Sequence, residues 1–328
     1  MKEIGLDKTI QLITDSNNIL ILGHVNPDGD CIGSMAALML GLRSSGKSVS
    51  AWSDELLPLK YGFIKIDLEK PDQEKLFDFD LIVVLDTAVE TRIGAKLDFS
   101  HSEIPMLAID HHVASKNNFD YIYADQSQAA TGCIIYDILI SLNIKITKSI
   151  ADAIYTAIIT DTGRFSYSNT NKRTFEITLE LLKAGINPSE ISSIIYNSSA
   201  PEYIRILGSA LKTLELVADG VGAIMYVSSD MIEKEGLNKF DTEDFVNYPK
   251  SIITVKVACM ITESPDSNEL RLSLRSKKPD VDVSRLAKLF NGGGHKCASG
   301  ARISESLTTF IPRLKKELES FIGTITED

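Results

Sequence analysis

The sequence predicts an α/β protein: a mostly parallel sheet flanked by helices, followed by a smaller α+β domain with a mixed sheet. Three observations carry this. Short apolar runs alternate with helical patterns through the first half of the chain. From Gly222 onward, strand-like runs follow one another with little helix between them. Acids and histidines recur directly after the apolar runs of the first half. Alternating β and α elements imply parallel strands with helices on both faces.

Taken in order, Ile19–Leu22, Val49–Trp52, Leu81–Leu85 and Met106–Ile109 read as short buried strands. Ser34–Leu42, Thr131–Leu142 and Asp152–Thr160 have helix-like apolar spacing. Arg173–Ala184 reads as a helix stopped by Gly185, and Asn187-Pro188-Ser189 opens the next. Ser189–Val217 is helical in pattern and reads as a bridge. "AIMYVS", "IITVKVACMIT" and "ELRLSLRS" read as strands, and the glycine cluster Asn291-Gly292-Gly293-Gly294 follows them. The expected division is a first domain over 1–187, a helical linker over 188–217 and a second domain over 218–328.

Composition narrows the class. Hydrophobic residues make up 44% of the 328 and charged residues 24%, the balance of an ordinary globular protein. No apolar run reaches the roughly 20 residues that span a bilayer, so no membrane partner is expected. The opening "MKEIGLDKTIQLITDS" lacks the apolar core of a secretory signal. Cys31, Cys133, Cys259 and Cys297 are far apart in sequence, which disfavours disulfides and points to a reducing cytoplasm. The net charge of −11 argues against tight binding of long nucleic acid. Between Lys250 and Lys296, however, nine Lys/Arg stand against five Asp/Glu, a patch suited to a small anionic ligand.

The stretch "GHVNPDGDCIG" puts His24, Asp28 and Asp30 in one turn after the first strand. "LIVVLDTA" puts Asp86 at the end of another strand, and "MLAIDHH" does the same for Asp110, His111 and His112. "AIYTAIITDTGRF" ends an apolar, helical segment at Asp161. In a parallel sheet these ends share one edge, where ligands bind. Alone, Asp86 would read as a helix cap, Asp161 as a turn residue and His24 as a strand-end histidine. Together they form a concentration of acid that is costly to bury unless paired or bound to metal. Arg164 is the one basic residue near these ends; it is expected to meet substrate. His101, in "LDFSHSEIP", reads as surface. Two divalent cations would balance Asp28, Asp30, Asp86 and Asp161. Oxygen and imidazole donors suit manganese, with magnesium as the alternative. Such a pair of ions clamps the attacking and leaving oxygens of a phosphoryl displacement.

Asp110-His111-His112, preceded by "VNPDGDCIGS" and "LDTA", resembles the DHH phosphoesterase superfamily. The C-terminal "LRLSLRSKK…DVSRLAKLFNGGGHKCASGARI" resembles its DHHA1 domain. The resemblance covers nearly the whole chain, in the family's order. It implies His24, Asp28 and Asp86 on one metal, and Asp30, Asp86, His111 and Asp161 on the other, with Asp86 bridging. It further implies that Asp110 orients an imidazole and that His112 faces the substrate phosphate. In the second domain, Gly292, Gly293, Gly294 and His295, together with Arg275 and Ser276 of "LSLRSK", would hold the nucleotide. Members often carry a fourth glycine where this chain has Asn291, a residue that tolerates positive φ.

Within the superfamily, the chain resembles bifunctional oligoribonucleases that also remove the 3′-phosphate of 3′-phosphoadenosine 5′-phosphate. Short single-stranded RNA, dinucleotides and that bisphosphate are the substrates this implies, and a homodimer is compatible with it. The alternative is hydrolysis of cyclic di-AMP or of its linear dinucleotide. A non-catalytic nucleotide-binding module is disfavoured, because every ligand position is filled.

Overall fold

A computed structural model describes residues 2–100, 102–112, 119–237, 240, 242–265 and 269–326, with side chains except those of Glu243, His295 and Thr326. His101 lies outside the described residues. The chain divides into two compact units, Met1–Ser198 and Ser199–Asp328.

The first unit runs β1 (Lys2–Glu3), α1 (Leu6–Asp15), β2 (Asn18–Leu22), α2 (Gly29–Ser44), β3 (Ser48–Trp52), β4 (Leu68–Glu69), β5 (Leu81–Leu85), β6 (Met106–Asp110), β7 (Tyr121–Ala124), α3 (Thr131–Ser141), α4 (Lys148–Asp161), α5 (Lys172–Lys183) and α6 (Pro188–Tyr196). Its seven strands lie in the order β1-β7-β6-β5-β2-β3-β4, and every pairing is parallel. β5 and β6 are buried along their whole length, as the unbroken apolar runs require. The chain steps from β2 to β3 and β4 on one side, then returns to β5, β6 and β7 on the other. The topological switch therefore falls between β2 and β5, where open α/β sheets bind their ligands.

The expected helices on both faces are found on one. Helices α1 to α6 pack the face that carries Ile19, Ile21, Val83, Leu107 and Ile109. On the other, Leu20, Leu22, Ile82, Val84 and Ala108 are covered by Leu76, Ile93, Ala95 and Phe119 from loops and short 3₁₀ turns. The connections between β3, β5 and β6 contain no α-helix among the described residues.

Helix α2 starts at Gly29 rather than Ser34. Asp28 caps it, its side chain accepting the amides of Asp30 and Cys31. Its first eleven residues, Gly29 to Met39, are all buried, so it has no polar stripe to mark its start. Close approach to α4 depends on glycine. A Cβ at Gly33 would lie 2.4 Å from the Ala153 carbonyl oxygen, and one at Gly29 would lie 2.4 Å from Thr160.

The segment Ser189–Val217 is not one helical bridge. It contains α6, then α7 (Pro201–Leu211) and β8 (Glu215–Val217), divided between the units. Pro201 marks the break: it stands in the first turn of α7, the position proline favours, and disfavours a helix running through from α6. The second unit continues with β9 (Gly222–Val227), α8 (Ser229–Glu233), α9 (Asn247–Ser251), β10 (Val257–Glu263), β11 (Leu270–Ser276), α10 (Val283–Lys288), β12 (Gly293–His295), β13 (Ala298–Ile303) and α11 (Leu307–Thr326). Its mixed sheet has the order β12-β13-β11-β10-β9-β8, with β9 and β10 parallel and the other pairs antiparallel. No helix among the described residues is long and apolar enough to cross a membrane.

The glycine contact yields a stability prediction. Gly33→Ala should destabilise the first unit by about 1–3 kcal/mol, because backbone of α4 blocks the added carbon. Gly208→Ala on α7, where a Cβ meets nothing within 4 Å, should be neutral or stabilising by up to about 1 kcal/mol. Urea denaturation of the two variants checks this; equal midpoints would contradict it.

Candidate metal centre

Four elements end at one edge of the first sheet and deliver the site. His24 follows β2, and its Nδ1–H donates to the Val25 carbonyl at 2.8 Å. That bond leaves Nε2 facing Asp86 Oδ2 at 3.3 Å and Asp28 Oδ1 at 3.8 Å. Asp86 follows β5 with φ 60, a left-handed conformation uncommon outside glycine. The strain is held by its amide, which donates to the Ile109 carbonyl at 3.0 Å, and it places a buried carboxylate at the switch point. Asp86 Oδ1 accepts the Thr131 hydroxyl at 2.9 Å.

Asp30, in the first turn of α2, is 1% exposed. Its Oδ2 accepts the Thr131 amide at 2.7 Å and its Oδ1 the Gly132 amide at 2.9 Å; Ser34 donates its hydroxyl to Oδ1 at 3.1 Å. Asp161 is the last residue of α4, and its Oδ2 accepts Nδ2 of Asn169 at 3.1 Å. His111 stands among these acids. Its Nε2 lies 3.7 Å from Asp30 Oδ2, 3.8 Å from Asp86 Oδ1 and 3.7 Å from Asp161 Oδ2. That nitrogen is buried and has no hydrogen-bond partner. Its distances are too long for hydrogen bonds but match the roughly 3–4 Å between donors that share one divalent ion bound at about 2.1 Å. The donor set fits a metal.

His112 is held by Asp110, whose Oδ1 accepts its backbone amide at 3.0 Å and its Nδ1–H at 2.6 Å. The two histidine rings meet edge to face, with centroids 4.2 Å apart.

The electrostatics follow from this crowding. Burial, then the charges of Asp86, Asp161 and Asp28, push the Asp30 carboxyl well above the usual carboxylate range. Burial alone would lower His112, but the hydrogen bond and charge of Asp110 outweigh it and raise the imidazole to about 9. Burial likewise opposes charge on His24, yet the facing carboxylates of Asp28 and Asp86 hold it high. His111 is lowered by burial and by the neighbouring His112.

Thus the structure brings together His24, Asp28, Asp30, Asp86, Asp110, His111, His112 and Asp161. It also supplies groups that sequence reasoning missed: Thr131, Ser34 and Asn169 as partners of the carboxylates, and Cys31, whose Sγ joins His24 and Asp86 in one cluster of donor atoms within 4.8 Å of one another. None has a sequence pattern to announce it. Arg164, just after α4, is exposed, and its guanidinium lies 4.0 Å over the Tyr196 ring.

The other predicted residues belong to the second unit. Arg275 is half-buried on β11, in register with Ala258 and Ala298. Ser276 is buried, and its hydroxyl donates to the Lys278 carbonyl at 3.2 Å. Gly292 and Gly294 permit close strand approach: a Cβ there would lie 2.1 Å from the Gly300 carbonyl oxygen and 2.6 Å from that of Ala298. A Cβ at Gly293 would meet nothing within 4 Å. Asn291 takes the left-handed conformation, φ 57, in place of a glycine. His295 pairs with Ala298 through β12; its side chain is outside what is described.

Comparison with known proteins places the chain in a family. Residues 18–158 match the model described as "DHH family, N-terminal domain", and residues 222–324 match the DHHA1 domain. A Thermus thermophilus protein named bifunctional oligoribonuclease and PAP phosphatase NrnA is 30% identical over 87% of this chain and 84% of its own length. A Bacillus subtilis protein of the same name is 27% identical over 90% of this chain and 92% of its own length. An exopolyphosphatase-related protein from Bacteroides fragilis has a similar structure, with a TM-score of 0.88 and 27% identity over 98% of this chain and 97% of that one. A hydrolase of the phosphoesterase class is what this fold and site define. The chain belongs to the DHH family and carries its DHHA1 domain.

Metal binding should stabilise the first unit. The acids repel one another in the empty site, and an ion held only by the folded chain adds stability by mass action, about 2.7 kcal/mol at a hundredfold excess over Kd. The melting midpoint should therefore rise with manganese and fall with EDTA. A midpoint indifferent to both would argue against a metal centre here.

Proposed function

We propose that this chain is a two-metal phosphodiesterase. It degrades RNA oligomers of a few residues, dinucleotides to pentanucleotides, to mononucleotides, and removes the 3′-phosphate of 3′-phosphoadenosine 5′-phosphate. The observation that carries the reading is Asp86: its Oδ2 faces the His24 imidazole at 3.3 Å and its Oδ1 faces that of His111 at 3.8 Å. Each oxygen of one carboxylate thus addresses a different imidazole, which suits a ligand that bridges two ions through its two oxygens. We assign His24, Asp28 and Asp86 to one ion and Asp30, Asp86, His111 and Asp161 to the other. Oxygen and nitrogen donors favour manganese, with magnesium as the alternative.

Two bound ions would supply an activated water and neutralise charge on the phosphoryl oxygens. The protein's own groups do the rest. The Thr131 hydroxyl and the Thr131 and Gly132 amides hold Asp86 and Asp30 in place. Asn169 does the same for Asp161. His112, kept positively charged by Asp110, is the group we assign to donate a hydrogen bond to the phosphate and a proton to the leaving oxygen. In the second unit, Arg275 can grip a phosphate in bidentate fashion. The glycine hairpin around Gly293 lets a backbone amide approach the nucleotide. The names of the two NrnA relatives support the substrate classes. The net charge of −11 supports short substrates over long ones.

Asp86→Ala should lower turnover at least about 100-fold, roughly 2.7 kcal/mol of barrier, while the chain stays folded. With manganese, rates should fall from dinucleotides through pentanucleotides to 24-mers, with mononucleotides released one at a time. Equal rates on 24-mers and dinucleotides would contradict the short-substrate reading. Faster cleavage of cyclic di-AMP than of any linear oligomer would make a cyclic dinucleotide the substrate instead.

A further inference from the structure

Cys31 is wholly buried in the first turn of α2. A buried cysteine ordinarily packs as a small apolar group; Cys31 and Cys133 both belong to the apolar core of the first unit, and Cys259 to that of the second. Cys31 differs in its company. Its Sγ, a ring nitrogen of His24 and a carboxylate oxygen of Asp86 lie within 4.8 Å of one another, and all three residues are buried. The Asp28 cap fixes its backbone, Oδ1 accepting the Cys31 amide at 3.0 Å. The residue before His24 makes room for the sulfur: a Cβ at Gly23 would stand 2.4 Å from Cys31 Sγ. On the same side Sγ meets the Met35 thioether at 3.9 Å, a weak contact between two soft atoms.

We propose that Cys31 is a sulfur ligand held in reserve at the His24–Asp86 metal position. It is recruited by thiophilic divalent ions such as zinc and cadmium and left unused by manganese or magnesium. The inference rests on the two-metal reading above and goes beyond its oxygen and imidazole ligands. Soft sulfur donors select zinc-like ions, whereas carboxylate and imidazole sets accept manganese. When such an ion binds, the thiol proton passes to solvent and a sulfur lone pair makes the metal–sulfur bond; no atom changes oxidation state. Zinc would then be retained at this position in place of the activating ion.

The test is cadmium titration of the metal-free full-length protein. We expect a sulfur-to-cadmium charge-transfer band that saturates at one equivalent. It should be lost in Cys31→Ser and Cys31→Ala and kept in Cys133→Ser and Cys297→Ser. Cadmium affinity should fall by about 10-fold or more in the Cys31 variants, the scale seen when a group supporting a metal is removed. Manganese affinity, followed by electron paramagnetic resonance, should change much less. A band that persists in both Cys31 variants, or cadmium binding without a sulfur band in the wild type, overturns the inference. Should both variants fail to fold, ¹¹³Cd NMR of the wild type decides: a shift typical of sulfur ligation supports the inference, and one typical of oxygen and nitrogen alone overturns it. Normal manganese binding with sulfur-free cadmium would sink only this inference. A chain that binds neither ion would sink the two-metal reading with it.

Discussion

Asp30 caps a helix to which it does not belong. Helix α3 begins after Ala130, which offers no side-chain cap. Its first two amides donate instead to the two oxygens of Asp30, from α2. The positive end of the α3 dipole thus meets a buried carboxylate, and each partner satisfies the other. This contact locks the heads of α2 and α3 beside the switch point of the sheet. Gly132 is part of it: a Cβ there would lie 2.4 Å from that of Ala157. Oδ1 also takes the Ser34 hydroxyl, but Oδ2 accepts only the Thr131 amide and retains a lone pair, so the same residue can serve the helix and an ion.

The rest of the site follows from the cost of crowding acids. Asp28, Asp30, Asp86 and Asp161 share one edge, and burial plus mutual repulsion pushes Asp30 toward its protonated form. Besides the imidazoles that face them, the fold orients these carboxylates with neutral donors: amides at Asp28 and Asp30, hydroxyls of Ser34 and Thr131, and the Asn169 amide. Neutral donors orient carboxylates without cancelling their charge. That leaves the cluster suited to divalent ions, and leaves the His111 Nε2 without a partner.

Much of this was legible in the sequence, for physical reasons. Parallel strands buried on both faces read as unbroken apolar runs, so β2, β5 and β6 were found nearly to the residue, and β3 nearly so despite its serines. An acid or histidine ending such a run must lie at the carboxyl edge, which is why His24, Asp86 and Asp110 could be grouped. Other features carry no such mark. The first part of α2 is buried on all sides, so periodicity could not locate its start. A loop-covered sheet face looks no different in the strands from a helix-covered one. The interruption between α6 and α7 turns on Pro201, which a search for helical spacing passes over. Thr131, Asn169 and Cys31 act through contacts with residues remote in sequence or on a neighbouring turn. Such contacts exist only once the chain has folded.

The central claim is that one carboxylate, Asp86, sits between two ions. Anomalous diffraction from crystals soaked in manganese tests it most directly. The account predicts two manganese peaks about 3.5–4 Å apart, with Asp86 bound to both, His24 and Asp28 on one, and Asp30, His111 and Asp161 on the other. A single peak, or two peaks that do not share Asp86, would contradict it.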